Sequence, residues 1–193
     1  MSRLRPTRER LIGLVVALAL GCLALVYGLR WVEASITFHP TRASYGDRPS
    51  TAQDVWFKTH DQARLHGWYF ASNSKPSTAT IIYFHGNGGN ISGLGWVGEG
   101  LASRGFDVLL FDYRGYGESD DGSLSEAALN ADGDAAYSFV VNDKHVVAER
   151  VVLFGQSLGT TVVADLASRQ KCGGVILESG LSSASSVAKT ALP

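Results

Sequence analysis

The sequence predicts an α/β protein with a mostly parallel sheet and helices on both of its faces. Three observations carry that expectation. Short apolar runs near residues 80–84, 108–111, 151–154 and 175–177 alternate with segments of helical spacing. The runs are continuous rather than alternating, which is how strands covered on both faces read. Gly-containing turns follow three of them, at 85–90, 112–119 and 155–159. Strands alternating with helices imply right-handed crossovers and one main sheet.

Composition narrows the class further. The chain has 193 residues, a net charge of −1 and 45% hydrophobic content, enough for one domain with a sizeable core. With no basic excess, nucleic acid is not an expected partner. Cys22 lies in an apolar segment and Cys172 in a loop, so no internal disulfide is expected. Neither cysteine nor the five histidines show a metal-ligand spacing, and no metal or other cofactor is expected.

In chain order, residues 1–10 form a basic tail, with Arg3, Arg5, Arg8 and Arg10 against Glu9. Residues 11–29 carry no charge, and as a helix they would be about 28 Å long, close to the hydrocarbon thickness of a bilayer. Arg30 and Trp31 follow, as an interfacial anchor would. A cleaved signal peptide is the rival reading, and residues 18–22 resemble a lipoprotein cleavage box with Ala19 where Leu is usual. The apolar run continues past Cys22, which favours a retained single-span anchor. The Arg cluster would then stay cytoplasmic and the remaining chain would lie on the other side of the membrane.

Residues 30–50 read as a linker, punctuated by Pro40, Gly46 and Pro49 and without a period. A core follows over 51–181 and a Ser/Ala-rich tail over 182–193. Two strands at 54–59 and 65–70, joined around His60-Asp61-Gln62, predict an antiparallel hairpin. Ile91, Leu94, Val97 and Leu101 are spaced for one helix face, although four glycines weaken that helix. Ser123 and Glu126 form a capping box that opens a helix to about residue 141.

The strand at 151–154 runs straight into Gly155-Gln156-Ser157-Leu158-Gly159, and helical spacing resumes over 160–169. Gly-x-Ser-x-Gly by itself is a weak pattern, and a Ser-capped turn is its bland alternative. Strand, sharp turn and helix in that order are the context the nucleophile-elbow motif requires. The glycines remove Cβ atoms that would collide across the turn, and the helix aims free N–H groups at the reacting centre.

Three motifs, HGNGGN at 85–90, DYRGYGES at 112–119 and GQSLGT at 155–160, resemble those of the α/β-hydrolase superfamily. With FHP at 38–40 and WYF at 68–70 they are similar to its membrane-anchored, single-span branch of abhydrolase-domain or serine aminopeptidase-like proteins. The resemblance implies a serine hydrolase acting on a small acyl substrate by way of an ester, thioester or amide bond. It implies Ser157 as nucleophile and an oxyanion hole from the main-chain N–H groups of Leu158 and Asn87. It places His85, Gly86, Gly88 and Gln156 around the substrate pocket. His85, Asp112 and Arg114 read as structural, the last two as a charged pair bracing a turn. Tyr113 and Tyr116 read as packing residues.

The superfamily orders its triad Ser, acid, His, yet no histidine follows Ser157 here. Asp165 is carried away along the helix, and Glu178 has no His to orient. The chain is therefore expected to lack the last strands of the fold, to leave the strand at 175–177 as an open edge, and to be inactive as written. The alternative function is a membrane-tethered binding module that keeps the pocket without the chemistry.

Overall fold

A computed structural model describes residues 8–180, with the side chains of 12–29 and 38–180. The chain divides into two compact units, Met1–His39 and Pro40–Pro193. The first contains one helix, α1 (Arg8–Thr37). Its stretch Ile12–Leu29 has a mean hydropathy of 2.5 and no buried residue, so it is long and apolar enough to cross a membrane. The helix runs past residue 29 into the segment expected to be linker. The physical reason is that neither Gly nor Pro occurs between Leu29 and Pro40 to stop it. The basic tail expected over residues 1–10 lies mostly outside the described residues, as does the tail over 182–193.

The second unit is built on a six-stranded sheet: β1 (Ala52–Lys58), β2 (Arg64–Phe70), β3 (Thr80–Phe84), β4 (Asp107–Phe111), β5 (Val151–Gln156) and β6 (Gly174–Glu178). The strands lie in the order β1-β2-β4-β3-β5-β6. β1 and β2 form the antiparallel hairpin, and β2 also runs antiparallel to β4. β4, β3, β5 and β6 are mutually parallel. The last strand occupies one edge of the described sheet, with Val175, Ile176 and Leu177 exposed.

Side chains alternate between two faces. One carries Trp68, Phe70, Tyr83, Val108 and Leu110 against α2 (Gly95–Ala102) through Leu94, Val97 and Leu101. The other places Phe57, Phe84 and Phe111 in one aromatic group beneath α3 (Glu126–Ser138) and α4 (Gly159–Arg169). Two of the four glycines that weakened the expected α2 have a packing role. A Cβ at Gly98 would lie 2.3 Å from the Phe70 ring, and one at Gly95 would lie 2.7 Å from Pro49. The helix comes closer to β2 than any side chain would allow.

Two sequence expectations are corrected. The cap of α3 is Ser125, whose hydroxyl accepts the Ala128 N–H at 3.2 Å; Ser123 lies two residues outside the first turn. Asp112 and Arg114 do not pair with each other. Arg114 turns to Asp132 of α3 at 2.8 Å and to Asp61 of the β1–β2 turn at 2.8 Å, tying three elements together. The main-chain N–H of Arg114 donates to Asp132 Oδ2 and its guanidinium to Oδ1, so the turn's charged brace is made with α3 instead.

Candidate active site

Ser157 stands between the end of β5 and the start of α4 with φ 49°, in the left-handed region that a non-Gly residue enters only under constraint. The constraint is steric. A Cβ at Gly155 would sit 2.7 Å from the Gly159 carbonyl oxygen, and one at Gly159 would sit 2.1 Å from the Phe84 carbonyl oxygen. The ends of β3 and β5 and the first turn of α4 thus meet backbone to backbone. Hydrogen bonds hold the turn: the Ser157 N–H donates to the Glu178 carbonyl at 2.9 Å, and Thr160 Oγ1 donates to the Ser157 carbonyl at 2.6 Å. The N–H groups of Thr160 and Thr161 bond back to Ser157 and Leu158. That leaves the N–H groups of Leu158 and Gly159 outside the helical ladder, at the positive end of α4.

Against this elbow lies the loop that follows β3. A Cβ on Gly86 would be 3.4 Å from the Ser157 Cβ, so the loop touches the serine. Asn87 is held by its side chain, which accepts the Tyr116 hydroxyl at 2.9 Å. Asn90, 3% exposed, donates from Nδ2 to the carbonyls of Thr41 and Ala43, and its Oδ1 caps the short 3₁₀ turn Ile91–Gly93. A cleft of about 400 Å³ opens beside the loop and reaches the elbow at Gln156; Ser157 is not among its lining residues. His85, Gly86, Gly88 and Gln156 all line it, as do Tyr45, Leu94 and Asn90. Tyr45 was not expected there. It comes from the segment read as a featureless linker, which straps across the loop, and no periodicity marked it.

Beneath the loop are two buried titratable side chains, each about 2% exposed or less. His85 Nδ1 donates to the Gly86 carbonyl at 2.7 Å, since a carbonyl can only accept. Its Nε2 lies 3.5 Å from Asp112 Oδ1. Burial pushes His85 down to about 4 and Asp112 up to about 7. The rings of Tyr113 and Tyr116 pack on His85 at centroid distances of 4.6 and 5.2 Å. Both tyrosines are fully buried, in keeping with their reading as packing residues.

The described residues do not place a histidine base at Ser157. His85 spends Nδ1 on Gly86 and turns its buried Nε2 to Asp112 rather than to Ser157, and His66 is turned to Asp54 at 2.7 Å. His145 is exposed before β5, at the opposite end of that strand from Ser157. Asp165 pairs with Arg169, and Glu178 accepts from Gln156 at 3.2 Å. Among the described residues no group of three or more His, Cys, Asp or Glu side chains could hold a metal ion.

Comparison with known proteins points one way. The family described as alpha/beta hydrolase fold matches residues 79–193. The uncharacterized protein YfhR of Escherichia coli strain K12 is 37% identical over 174 residues, covering 87% of this chain and 61% of its own length. Alpha/beta hydrolase domain-containing protein 17C of Mus musculus is 37% identical over 145 residues, covering 75% of this chain and 45% of its own. The chain thus spans about three fifths of the former relative and less than half of the latter. Among solved structures, an esterase from Pyrococcus furiosus superposes with a TM-score of 0.65 at 23% identity, over 74% of this chain and 58% of that one. An alpha-beta hydrolase from Vibrio vulnificus gives a TM-score of 0.65 at 26% identity, over 75% of this chain and 51% of that one.

The backbone of Ser157 makes a prediction independent of any chemistry. At an ordinary position Ala is more stable than Gly by about 0.5–1 kcal/mol. The left-handed conformation costs a side-chain-bearing residue about 1–2 kcal/mol. Ser157→Gly is therefore expected to be more stable than Ser157→Ala, reversing the usual order. Chemical denaturation of the two variants checks it, and an alanine variant at least as stable as the glycine one would show that the elbow is not strained.

Proposed function

The chain belongs to the α/β-hydrolase fold family, and from that premise we propose that the complete gene product is a membrane-anchored serine hydrolase. In this reading Ser157 attacks an ester, thioester or amide carbonyl and carries the acyl group as a covalent intermediate. The observation that carries the proposal is the left-handed Ser157 at a strand-to-helix turn whose flanking glycines admit no Cβ. In that turn the serine stands at the start of α4 and next to Gly86 of the glycine-rich loop. The N–H groups of Leu158 and Asn87 are assigned to the oxyanion that develops in the transition state.

The chemistry needs a base that takes the serine proton, because a hydroxyl is a weak nucleophile at neutral pH. His85 does not have that role, since its Nδ1 proton is spent on Gly86 and its Nε2 faces Asp112. No described residue supplies that base. The cleft supports an uncharged acyl group: among the described residues no Asp, Glu, Lys or Arg lines it, and Tyr45 and Leu94 give it apolar walls. A reactive fluorophosphonate applied to the complete gene product should label Ser157, and Ser157→Ala should abolish the label. Saturable ligand binding with no adduct at Ser157 would instead favour a non-catalytic binding module.

α1 is assigned as a retained single-span anchor, supported by its uncharged, exposed stretch Ile12–Leu29 and the four arginines of the basic tail. The hydrolase unit then lies on the non-cytoplasmic side. A reporter active only in the cytoplasm, fused after Pro193, should be silent. An active reporter would reverse the orientation, and a free N-terminus created within residues 11–30 of the mature protein would show a cleaved signal.

A further inference from the structure

We infer that Asp112 is a positioning residue for the oxyanion loop, holding the His85 ring through one proton that the two side chains share at neutral pH. The inference rests on the reading of residues 85–90 as that loop. It begins with the tautomer. Because Nδ1 donates to the Gly86 carbonyl at 2.7 Å, a neutral His85 ring has only a lone pair at Nε2. That atom is buried and has no hydrogen-bond partner, and Asp112 Oδ1 stands 3.5 Å away. A lone pair without a partner facing a carboxylate oxygen away from water is unfavourable, even though that oxygen already accepts the Ile91 N–H, and a proton between the two removes the conflict.

Two arrangements would supply the proton. An imidazolium facing a carboxylate buries two charges, whereas a neutral carboxyl donating O–H to Nε2 buries none. Both side chains are almost wholly enclosed, so the neutral pair is favoured. The shifts agree in direction, with burial pushing His85 down to about 4 and Asp112 up to about 7. Asp112 also accepts the main-chain N–H of Ile91 at 2.9 Å and that of Glu118, which favour the carboxylate and keep its titration near neutrality. Of the surrounding charges, His66 on β2 pulls Asp112 down and Glu118 pushes it up. Across the neighbouring cavity stand Asp54, which binds His66, together with Asp47, Arg42 and Arg48.

The consequence runs through the backbone. The Gly86 carbonyl points at the His85 ring, and in a trans peptide the N–H of the next residue points the opposite way. The tautomer of His85 therefore directs the Asn87 N–H away from the ring, and Asp112 selects the tautomer. The same Oδ1 holds Ile91, so a single carboxyl ties both ends of the loop. Above the titration of Asp112 its proton passes to solvent and the His85 end is released.

The sign of the pH dependence follows. Asp112 is raised in the fold, so its contribution to stability is complete below its unfolded value near 4 and is lost as pH rises through about 7. His85 is lowered, so its contribution is present above its unfolded value near 6.5 and is lost as pH falls through about 4. The titration of the pair near neutrality is therefore that of Asp112.

The test is a pH titration of the complete gene product, ¹⁵N-labelled, followed by long-range ¹H–¹⁵N spectra of His85 and by the infrared carbonyl stretch of a protonated carboxyl. At pH 6 His85 should be the Nδ1–H tautomer with Nε2 as an accepting nitrogen. The Nε2 shift, the Asn87 amide shift and the carboxyl stretch should then change together as pH rises past 7. Asp112→Asn should flatten all three. Asn cannot satisfy both Ile91 and His85, so this variant should also melt lower by roughly 2–4 °C at pH 6. If the variant does not fold, the wild-type titration still decides. An Nε2–H tautomer, an imidazolium at pH 7, or a His85 spectrum indifferent to the carboxyl titration would overturn the inference. Absence of phosphonate labelling at Ser157 with the titration intact would sink only the hydrolase reading.

Discussion

The site depends on a close approach of backbone to backbone between the start of α4 and the end of β3. Gly159 opens α4 so near to Phe84 that a single added carbon would lie 2.1 Å from the Phe84 carbonyl oxygen. Phe84 is the last residue of β3, and the glycine-rich loop begins at the very next position. The same contact therefore fixes the distance between the serine, which precedes α4, and the loop, which follows β3. Gly155 repeats the device on the other side of Ser157, against Gly159 itself. A non-Gly residue accepts φ 49° at Ser157 because three elements meeting backbone to backbone leave the turn no other course.

Around that contact the polar groups are satisfied in a way that stiffens the loop rather than the serine. Tyr116 holds the Asn87 side chain, Asn90 pins the strap at residues 41–43, and Asp112 takes the N–H of Ile91. Arg114 secures the turn that carries these residues by binding Asp132, which is fully buried, and Asp61. A buried ion pair of this sort is weak evidence for added stability, but removing one partner would strand a charge. Its effect here is to fasten β4's exit to α3 and to the β1–β2 turn, so that the loop above it has a rigid floor.

Much of this was legible in the sequence, for identifiable reasons. The runs at 80–84 and 151–154 announce strands because burial on both faces leaves no polar alternation. Ser157 announces an elbow because Gly-x-Ser-x-Gly stood between such a strand and a helix. His85, Gly86, Gly88 and Gln156 line one cleft because two motifs at neighbouring strand ends converge. Other features depend on contacts that no local pattern encodes. Tyr45 lies in a stretch without periodicity; its main-chain N–H donates to Ser92 Oγ from across the chain, while Asn90 holds the nearby Ala43 carbonyl. Arg114 chose Asp132 and Asp61 over the nearer Asp112, a choice made by tertiary geometry. Ser123 and Ser125 both suit a helix cap, and only the path of the chain from Ser119 decides between them. The α2 glycines, a weakness by propensity, proved to be the means by which that helix reaches Phe70.

The central claim is that Ser157 and the loop after β3 form one preorganised site for a negatively charged oxygen. The most direct measurement is a crystal structure of the complete gene product carrying a phosphonate on Ser157. The account predicts the phosphoryl oxygen at about 2.7–3.1 Å from the main-chain nitrogens of both Leu158 and Asn87. A phosphoryl oxygen turned to solvent, or an Asn87 N–H pointing away from it, would contradict the account.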